Sequence, residues 1–352
     1  MTDARKTRRL LMLILLALLG AGVSSWAGQA NLFVYHRFGD GRFPSTNTSL
    51  ADFEGHLETL RRERIPVLPL GEVVRRLRSG APLPDRCAVL TVDDGYETFL
   101  TGAMPLLRRY GFPATLFVST DFVGHSGYLN WKQLQELSAQ GVEIGNHSHS
   151  HPYLVERVPG ETEAAWRNRI RGDIVSAQTR FKDKLGLEPR LFSYPYGEYL
   201  PQVLALLREL GFVGAVVQHS GVVSGQSDPF LLPRFPMGGG YGTVKGFSSK
   251  LRMRPLPVAA IHSAGPVLGA ENPPLLTLDI SPSDADLSRM RCFVNGEDAA
   301  DIRSIPGFPG RFEIRARRML SSRRTSYVLT APSRTGREWY WFSQLWIKTR
   351  GE

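Results

Sequence analysis

The sequence contains little cysteine and no recognisable nucleic-acid-binding motif. Its 352 residues include two cysteines, Cys87 and Cys292, which are too few for a disulfide framework or a cysteine-based zinc cluster. We expect both to be buried free thiols, because they fall in different predicted domains. The formal net charge of +10 suits an anionic envelope surface or a partly acidic polymer. Without a nucleic-acid motif, we expect no nucleic-acid partner.

Long hydrophobic runs are also scarce, and the one at the N-terminus is short for a membrane span. Apolar residues 10–23 follow a basic start, whereas a span needs about 20 residues. Small residues at Ser25 and Ala27, and again at Gly28 and Ala30, offer two sites for a signal peptidase. We predict a signal peptide at residues 1–30 and an exported protein of the periplasm or cell envelope. The alternative is that the segment is not cleaved and anchors the protein in the membrane.

Short apolar runs alternate with amphipathic stretches over residues 31–254, the predicted catalytic domain. Apolar side chains recur at helical spacing from Trp166 to Leu185. Strands are predicted at residues 32–35, 88–92, 114–118, 142–144, 191–194 and 213–217. The alternation indicates parallel strands in an α/β barrel or a doubly wound sheet. Such folds place their chemistry at the carboxyl ends of strands.

A proline-rich stretch at residues 254–257 ends this pattern. Strands are then predicted at residues 275–280, 290–294, 312–316, 327–330 and 339–346. We predict a small all-β, sandwich-like accessory domain over residues 258–352. Its arginine-rich stretch (residues 311–324) and aromatic run (residues 339–346) fit a platform that holds a polysaccharide. The simpler alternative is a packed sandwich core beside a solvated edge strand.

Two adjacent carboxylates, Asp93 and Asp94, follow the predicted strand that ends at Val92. Each raises the pKa of the other, so holding both ionised is costly. A metal cation bound to one removes that cost and leaves the other free as a base. The alternative is an ordinary Asp-Gly turn that caps the next helix.

Three of the chain's eight histidines lie within five residues, at His147, His149 and His151. On a helical turn, His147 and His151 would face the same side and could bind one ion, with His149 pointing elsewhere. A carboxylate with two histidines leaves open coordination positions, which is typical of a catalytic site. The alternative is a surface loop rich in histidine.

Two weaker signals fall at the ends of other strands. The turn around Tyr196 is set by Pro195 and Gly197, and such a turn can aim a backbone N–H at an oxyanion. His36 follows the first strand. Taken alone, each is an ordinary strand-end residue, but all these strands are expected to end on the same rim.

Together, these segments resemble the polysaccharide deacetylase family, the carbohydrate esterases of family 4 related to the rhizobial chitooligosaccharide deacetylase. Residues 91–95, Thr-Val-Asp-Asp-Gly, match its Thr-Phe-Asp-Asp-Gly motif with one conservative change. Residues 147–151 match its His-Ser/Thr-x-x-His motif. The order of the motifs fits as well, and the resemblance covers about residues 31–246.

The resemblance implies a fold, a cofactor and roles for individual residues. The fold is an irregular (β/α) barrel of about seven strands. Asp94, His147 and His151 bind a divalent metal, usually zinc. Asp93 is the general base for the attacking water, and Tyr196 gives its backbone N–H to the oxyanion.

The sequence departs from the family pattern in two places. Ser193 stands where an arginine usually steadies the base, and the late Leu-x-His motif that supplies the general acid is not evident. In both features the sequence resembles the branch of the family that acts on poly-N-acetylglucosamine. In that branch a Tyr-His pair at the end of an early strand carries the general acid. This implies His36 as the acid, with His219 as the rival.

The resulting prediction is a metal-dependent hydrolase that removes N-acetyl groups from an amino-sugar polymer, similar to poly-N-acetylglucosamine, in the cell envelope. Its expected partners are that polymer and components of envelope or exopolysaccharide export. The alternative is a non-catalytic carbohydrate-binding or assembly protein on a deacetylase fold, a reading supported by the missing arginine and the unassigned acid.

Overall fold

The structure is a computed structural model that describes residues 28–263 and 265–350. Its helices are α1 Leu50–Arg62, α2 Leu70–Ser79, α3 Met104–Tyr110, α4 Trp131–Ala139, α5 Glu163–Leu185, α6 Pro201–Glu209 and α7 Val244–Leu251. The strands of the first half are β1 Gln29–Tyr35, β2 Arg37–Phe38, β3 Asn47–Thr48, β4 Cys87–Val92, β5 Thr115–Val118, β6 Glu143–Asn146, β7 Leu191–Ser193, β8 Gly214–Val216, β9 Val223–Ser224 and β10 Phe235–Pro236. Those of the second half are β11 Met253–Pro255, β12 Val258–Ile261, β13 Leu275–Ile280, β14 Arg291–Val294, β15 Glu297–Asp298, β16 Ala300–Ser304, β17 Arg311–Ala316, β18 Arg324–Pro332 and β19 Trp339–Ile347.

A curled parallel sheet forms the first half of the molecule. Seven strands lie in the order β10-β1-β4-β5-β6-β7-β8, and β9 adds an antiparallel pair to β1. Leu232 forms a β-bridge with Val216 of β8, and β10, which begins three residues later, pairs with β1. The segment from Leu232 to β10 therefore links the two ends of the sheet. The predicted irregular (β/α) barrel of about seven strands is confirmed.

Continuous burial explains why the central strands form. Every residue of β1 and of β4 is buried, as expected for parallel strands covered by helices on both faces. Helix α5 begins at a side-chain cap from Thr162, and its stripe of Trp166, Ile170 and Ile174 lies in the core. All six strands predicted in this half are present.

Two sheets build the second half, in the orders β11-β19-β18-β14-β15 and β12-β13-β17-β16. Leu278, Ile314 and Leu329 pack between them in one hydrophobic cluster. The prediction of an all-β C-terminal region is confirmed, and its five predicted strands correspond to β13, β14, β17, β18 and β19. Strands β11, β12, β15 and β16 were not predicted, because they are short or rich in polar residues.

Strand β19 connects the two halves. Its residues Leu345 and Ile347 pack in a cluster with Phe192 and Tyr194 of the barrel, and Trp341 contacts Phe235 edge-on at 5.5 Å between ring centroids. Contacts therefore cross the predicted boundary between residues 254 and 258, which itself stays a prediction.

The predicted signal segment lies outside the described residues except for 28–30. Gln29 and Ala30 belong to β1, and the Gln29 side chain donates a hydrogen bond to the carbonyl of Met253 at 2.7 Å. Within the described part of the chain, no helix is both long and apolar enough to cross a membrane. As predicted, Cys87 and Cys292 are free and buried.

Candidate metal centre and active site

The segments singled out in the sequence meet at one edge of the barrel sheet. Asp93 and Asp94 follow β4, His147 follows β6, Tyr196 follows β7 and His36 follows β1. The carboxyl ends of parallel strands share an edge, so their first loop residues are brought together.

Asp94, His147 and His151 form a candidate metal site. The Asp94 Oδ1 atom lies 3.4 Å from His147 Nε2 and 3.5 Å from His151 Nε2, and all three ligand atoms lie within 4.8 Å of one another. Two ligand atoms on a tetrahedral zinc ion, each about 2.0–2.1 Å from it, are about 3.3–3.4 Å apart. The residues therefore fit a divalent ion with one carboxylate and two imidazole ligands.

The histidine segment reaches this geometry without the helical turn that the spacing predicted. His147 directly follows β6, and the chain then reverses through Ser148 and His151, which have positive φ angles of 69° and 54°. The Ser148 hydroxyl accepts a hydrogen bond from the His151 N–H at 3.0 Å, and the Asn146 side chain accepts one from the Ser148 N–H. His149 points away and contacts Thr120, as expected. The prediction of a helical turn was wrong because side-chain hydrogen bonds stabilise a tighter turn.

The ligand side chains are prepared for a cation. His147 Nδ1 lies 2.7 Å from the carbonyl of Ser193, so an N–H there can donate and leave Nε2 free to face Asp94. Burial lowers the pKa of His151 to about 4, which keeps its imidazole neutral near pH 7. Burial raises the pKa of Asp94, but the hydrogen bond and charge that His147 supplies when it is protonated, with the charges of nearby protonated histidines, outweigh this and lower it.

Asp93 is held by an arginine that the sequence analysis did not identify. Arg234 donates to Asp93 Oδ1 at 2.8 Å and to Oδ2 at 2.7 Å, and both side chains are fully buried. Ser193 accepts a further hydrogen bond from Arg234 at 3.0 Å. Burial, the largest single influence, raises the pKa of Asp93, but the charge and hydrogen bonds of Arg234 together with the charges of His147 and His36 outweigh it, so the pKa is lowered. Asp93 is thus ionised and fixed beside the candidate metal site.

The two candidate acid histidines lie in different places. His36 is half-buried, with Nε2 3.1 Å from the Gln218 side-chain nitrogen, and its charge adds a lowering, smaller than that of Arg234, to the pKa of Asp93. His219 instead lines a cavity of about 400 Å³ between the two halves of the molecule. Burial lowers the pKa of His219 to about 4. His36, and not His219, is therefore the histidine whose charge acts on Asp93 and Asp94 of the candidate site.

Tyr196 lies in a tight turn beside the metal ligands. Its φ is 59°, and its backbone N–H makes no hydrogen bond with the residues that the structure describes, 28–263 and 265–350. A side chain on Gly197 would place Cβ 2.4 Å from the Gln218 nitrogen, so this close approach requires glycine. The Tyr196 ring meets His151 edge-on at 4.6 Å.

The comparisons with known proteins agree with this geometry. Residues 80–215 match the profile of the polysaccharide deacetylase family. The chain carries a polysaccharide deacetylase domain. The matched stretch contains the Asp93-Asp94 pair and both histidines of the candidate metal site, and the match confirms the predicted family and enzyme class.

Relatives of the deacetylase domain include two enzymes named poly-beta-1,6-N-acetyl-D-glucosamine N-deacetylase. The one from Escherichia coli K12 is 27% identical over an alignment of 220 residues, and the match covers 53% of this chain and 32% of that protein. The one from Staphylococcus aureus MRSA252 is 24% identical over 210 residues, covering 58% of this chain and 72% of that protein. The match therefore spans about a third of the first relative and most of the second.

Solved structures share the fold of the deacetylase domain. The Streptococcus pyogenes deacetylase PplD superposes with a TM-score of 0.57 at 21% identity, over 63% of this chain and 98% of that one. IcaB from Ammonifex degensii gives a TM-score of 0.55 at 22% identity, over 64% and 97%.

Arg234 is the residue of the deacetylase domain that sequence reasoning missed. It lies 141 positions from Asp93, outside the motif in which the family's arginine is expected. One signal could have found it: Arg234 is the single charged residue in an apolar stretch, residues 229–237. A charge buried in such a stretch needs an ionic partner.

Proposed function

We propose that this protein is a metal-dependent deacetylase that removes N-acetyl groups from an amino-sugar polysaccharide of the poly-N-acetylglucosamine type. The single observation that carries the proposal is a buried carboxylate, Asp93, fixed by Arg234 directly beside the cluster of Asp94, His147 and His151. A base next to a metal site with open positions is the arrangement that amide hydrolysis requires.

The chemistry divides among this chain's own residues. Asp94, His147 and His151 would hold a divalent ion, for which zinc is our choice, and this ion would supply a lowered pKa for the attacking water and polarisation of the acetamide carbonyl. Asp93 accepts the proton of the attacking water, since its carboxylate is ionised. The Tyr196 N–H donates to the oxyanion. His36 gives a proton to the departing amine. The products are acetate and a free glucosamine unit.

The substrate class rests on the relatives. Two of them are named for poly-beta-1,6-N-acetyl-D-glucosamine, and the early Tyr-His strand end of this chain is similar to the branch that acts on that polymer. Peptidoglycan or chitin fragments are the competing substrates.

The alternative of a non-catalytic carbohydrate-binding protein loses its main support. That hypothesis rested on the missing arginine, and Arg234 provides the guanidinium from a different part of the chain. A paired carboxylate beside two imidazoles has no purpose in a protein that only holds a polymer.

Export to the periplasm or cell envelope belongs to the same proposal, with cleavage of the N-terminal segment. Cleavage after Ala27 leaves β1 intact, whereas cleavage after Ala30 removes Gln29 and its hydrogen bond to Met253. We therefore expect Gly28 to be the first mature residue. N-terminal sequencing of the exported protein checks this, and an intact Met1 in the membrane fraction contradicts it.

Acetate release from a panel of acetylated glycans tests the function. The mature, metal-loaded protein should release acetate from poly-N-acetylglucosamine faster than from chitin oligomers or peptidoglycan fragments. The metal-stripped protein should be inactive and recover when a divalent ion is added back. Metal binding without acetate release from any glycan would favour the non-catalytic alternative.

A further inference from the structure

Two neighbouring arginines of the β region (residues 253–347) reach into the edge of the barrel that carries the candidate active site. Arg323 precedes β18 and Arg324 begins it. Arg323 Nε and Nη2 donate to the two carboxylate oxygens of Glu198 at 2.8 and 2.7 Å, and Glu198 is fully buried. Arg323 also pairs with Glu156. A two-pronged contact to a buried carboxylate fixes both position and orientation, so the turn that ends at Glu198 is attached to the β region.

Arg324 contacts the same turn two residues earlier. One of its guanidinium nitrogens donates to the backbone carbonyl of Tyr196 and lies 3.4 Å from Gln218 Oε1. The other end of the Gln218 amide lies 3.1 Å from His36 Nε2. Arg324 therefore touches both the residue that offers the oxyanion N–H and the side chain that contacts the proposed acid.

A stack of rings extends the contact to a metal ligand. The Arg323 guanidinium lies 3.9 Å over the ring of Tyr153. Tyr153 stacks on Tyr196 at 4.0 Å with 14° between the ring planes. Tyr196 in turn meets His151 edge-on at 4.6 Å. The β region thus supports one wall of the site through side chains in direct contact.

The conformation of Tyr196 explains why such support is needed. Its φ of 59° lies in the left-handed region, which a residue with a side chain adopts only when its surroundings hold it there. The hydrogen bond to the Tyr196 carbonyl and the stacking of its ring on Tyr153 hold the groups on either side of the Tyr196 α-carbon. They therefore restrict the backbone torsion angles that set the direction of the Tyr196 N–H.

We propose that Arg323 and Arg324 are positioning residues of the deacetylase site, so that the β region completes the active site. This inference rests on the proposed function. It assigns these two arginines a role that neither sequence interpretation gave them, since Arg323 pairs with the buried Glu198 and the exposed Arg324 donates to the Tyr196 carbonyl. Neither residue touches the reacting atoms; they act through Tyr196 and His36.

The test replaces Arg324, which is exposed, so its loss should leave the fold intact. The experiment uses the full chain with metal bound and a short acetylated oligosaccharide that does not extend to the β region. Misplacing an oxyanion donor by about 1 Å costs up to about a hundredfold in rate. Arg324→Ala should therefore lower kcat by about 10- to 100-fold while KM and metal content stay within about twofold of wild type.

Two further variants separate positioning from general damage. Arg324→Lys keeps one donor for the Tyr196 carbonyl and should recover part of the lost kcat. Arg317→Ala is the matched control, because this arginine of the same region is exposed and pairs with the exposed Asp301; it should keep wild-type kcat.

The single substitution Arg323→Ala would leave the buried Glu198 carboxylate without its ion-pair partner. Arg323→Ala is therefore combined with Glu198→Gln, which removes that charge. That double variant should show a kcat loss like that of Arg324→Ala, and circular dichroism monitors its fold.

The outcomes separate this inference from the function itself. An Arg324→Ala variant that turns over like wild type overturns the inference while the function stands. A higher KM with unchanged kcat in this variant also overturns the inference, because it would identify Arg324 as a substrate contact. Absence of acetate release from the wild-type protein refutes the proposed function instead.

Discussion

Replacing Arg234 by methionine tests how Asp93 is held and kept ionised. The Arg234 guanidinium donates five hydrogen bonds, two of them to the Asp93 carboxylate, and both side chains are fully buried. Removing one partner of a buried ion pair costs about 3–5 kcal/mol, a large part of the roughly 5–15 kcal/mol by which proteins are stable. We expect a loss of that size in the free energy of unfolding. The kcat should fall about a hundredfold, the lower end of the range for a general base, because the carboxylate remains but is no longer aimed.

The pH dependence of this variant follows from the sign of the shift. Burial raises the folded-state pKa of Asp93, but the charge and hydrogen bonds of Arg234, with smaller contributions from nearby histidine charges, together depress it. The pair therefore stabilises the fold above the pKa of an unfolded aspartate, about 3.9, and this stabilisation is lost as the pH falls through the lower folded value. Without Arg234, burial raises the pKa of Asp93. The acidic limb of the kcat/KM profile should move to higher pH.

Two controls make the Arg234 result interpretable. Arg208→Met removes an exposed pair with Asp228 and should cost no more than about 1 kcal/mol. The double variant Arg234→Met with Asp93→Asn removes the unpaired charge, so it should be more stable than Arg234→Met alone. Chemical denaturation and acetate release at matched metal content provide both measurements. Wild-type kcat and an unmoved acidic limb in a folded Arg234→Met protein would refute the role we assign to this pair.

Three further outcomes are expected. Asp94→Ala should lose bound metal in an elemental analysis, since it removes the one carboxylate of the three ligand side chains; retention of metal would show that the ion binds elsewhere. His36→Ala should lower kcat by about a hundred- to ten-thousandfold, the usual loss of a general acid, at unchanged metal content, whereas His219→Ala should change it far less; the reverse ranking would move the acid to His219. A fragment that ends at Pro257 should be poorly folded, because it exposes the barrel surface that β19 covers. If the fragment unfolds cooperatively and is fully active, the barrel folds without the β region and this expectation is wrong.

Strand positions and motif residues were predictable because they depend on local sequence. The run of apolar residues before Asp93 predicts a buried strand, and its end places the carboxylates at the sheet edge. The histidine cluster is equally local. The conformation of the turn between these histidines was not predictable, because the positive φ angles of Ser148 and His151 depend on hydrogen bonds that the residue spacing does not reveal.

The residues that support the site could not be found in the same way. Arg234 and Asp93 are 141 positions apart, and Arg323 and Glu198 are 125 apart. Such pairs form only when the barrel curls and the β region packs against it. Composition showed an arginine-rich stretch but not which arginines enter the interface, since Arg323 is paired at the interface while Arg317 is exposed.

Turnover of Asp93→Asn at matched metal occupancy tests the central claim most directly. Asparagine keeps the size of the side chain and leaves Asp94 to bind the ion, but it cannot accept the proton of the attacking water. We predict metal content equal to wild type and acetate release from poly-N-acetylglucosamine lower by about a hundred- to ten-thousandfold. Wild-type acetate release by a fully loaded Asp93→Asn protein would contradict the account.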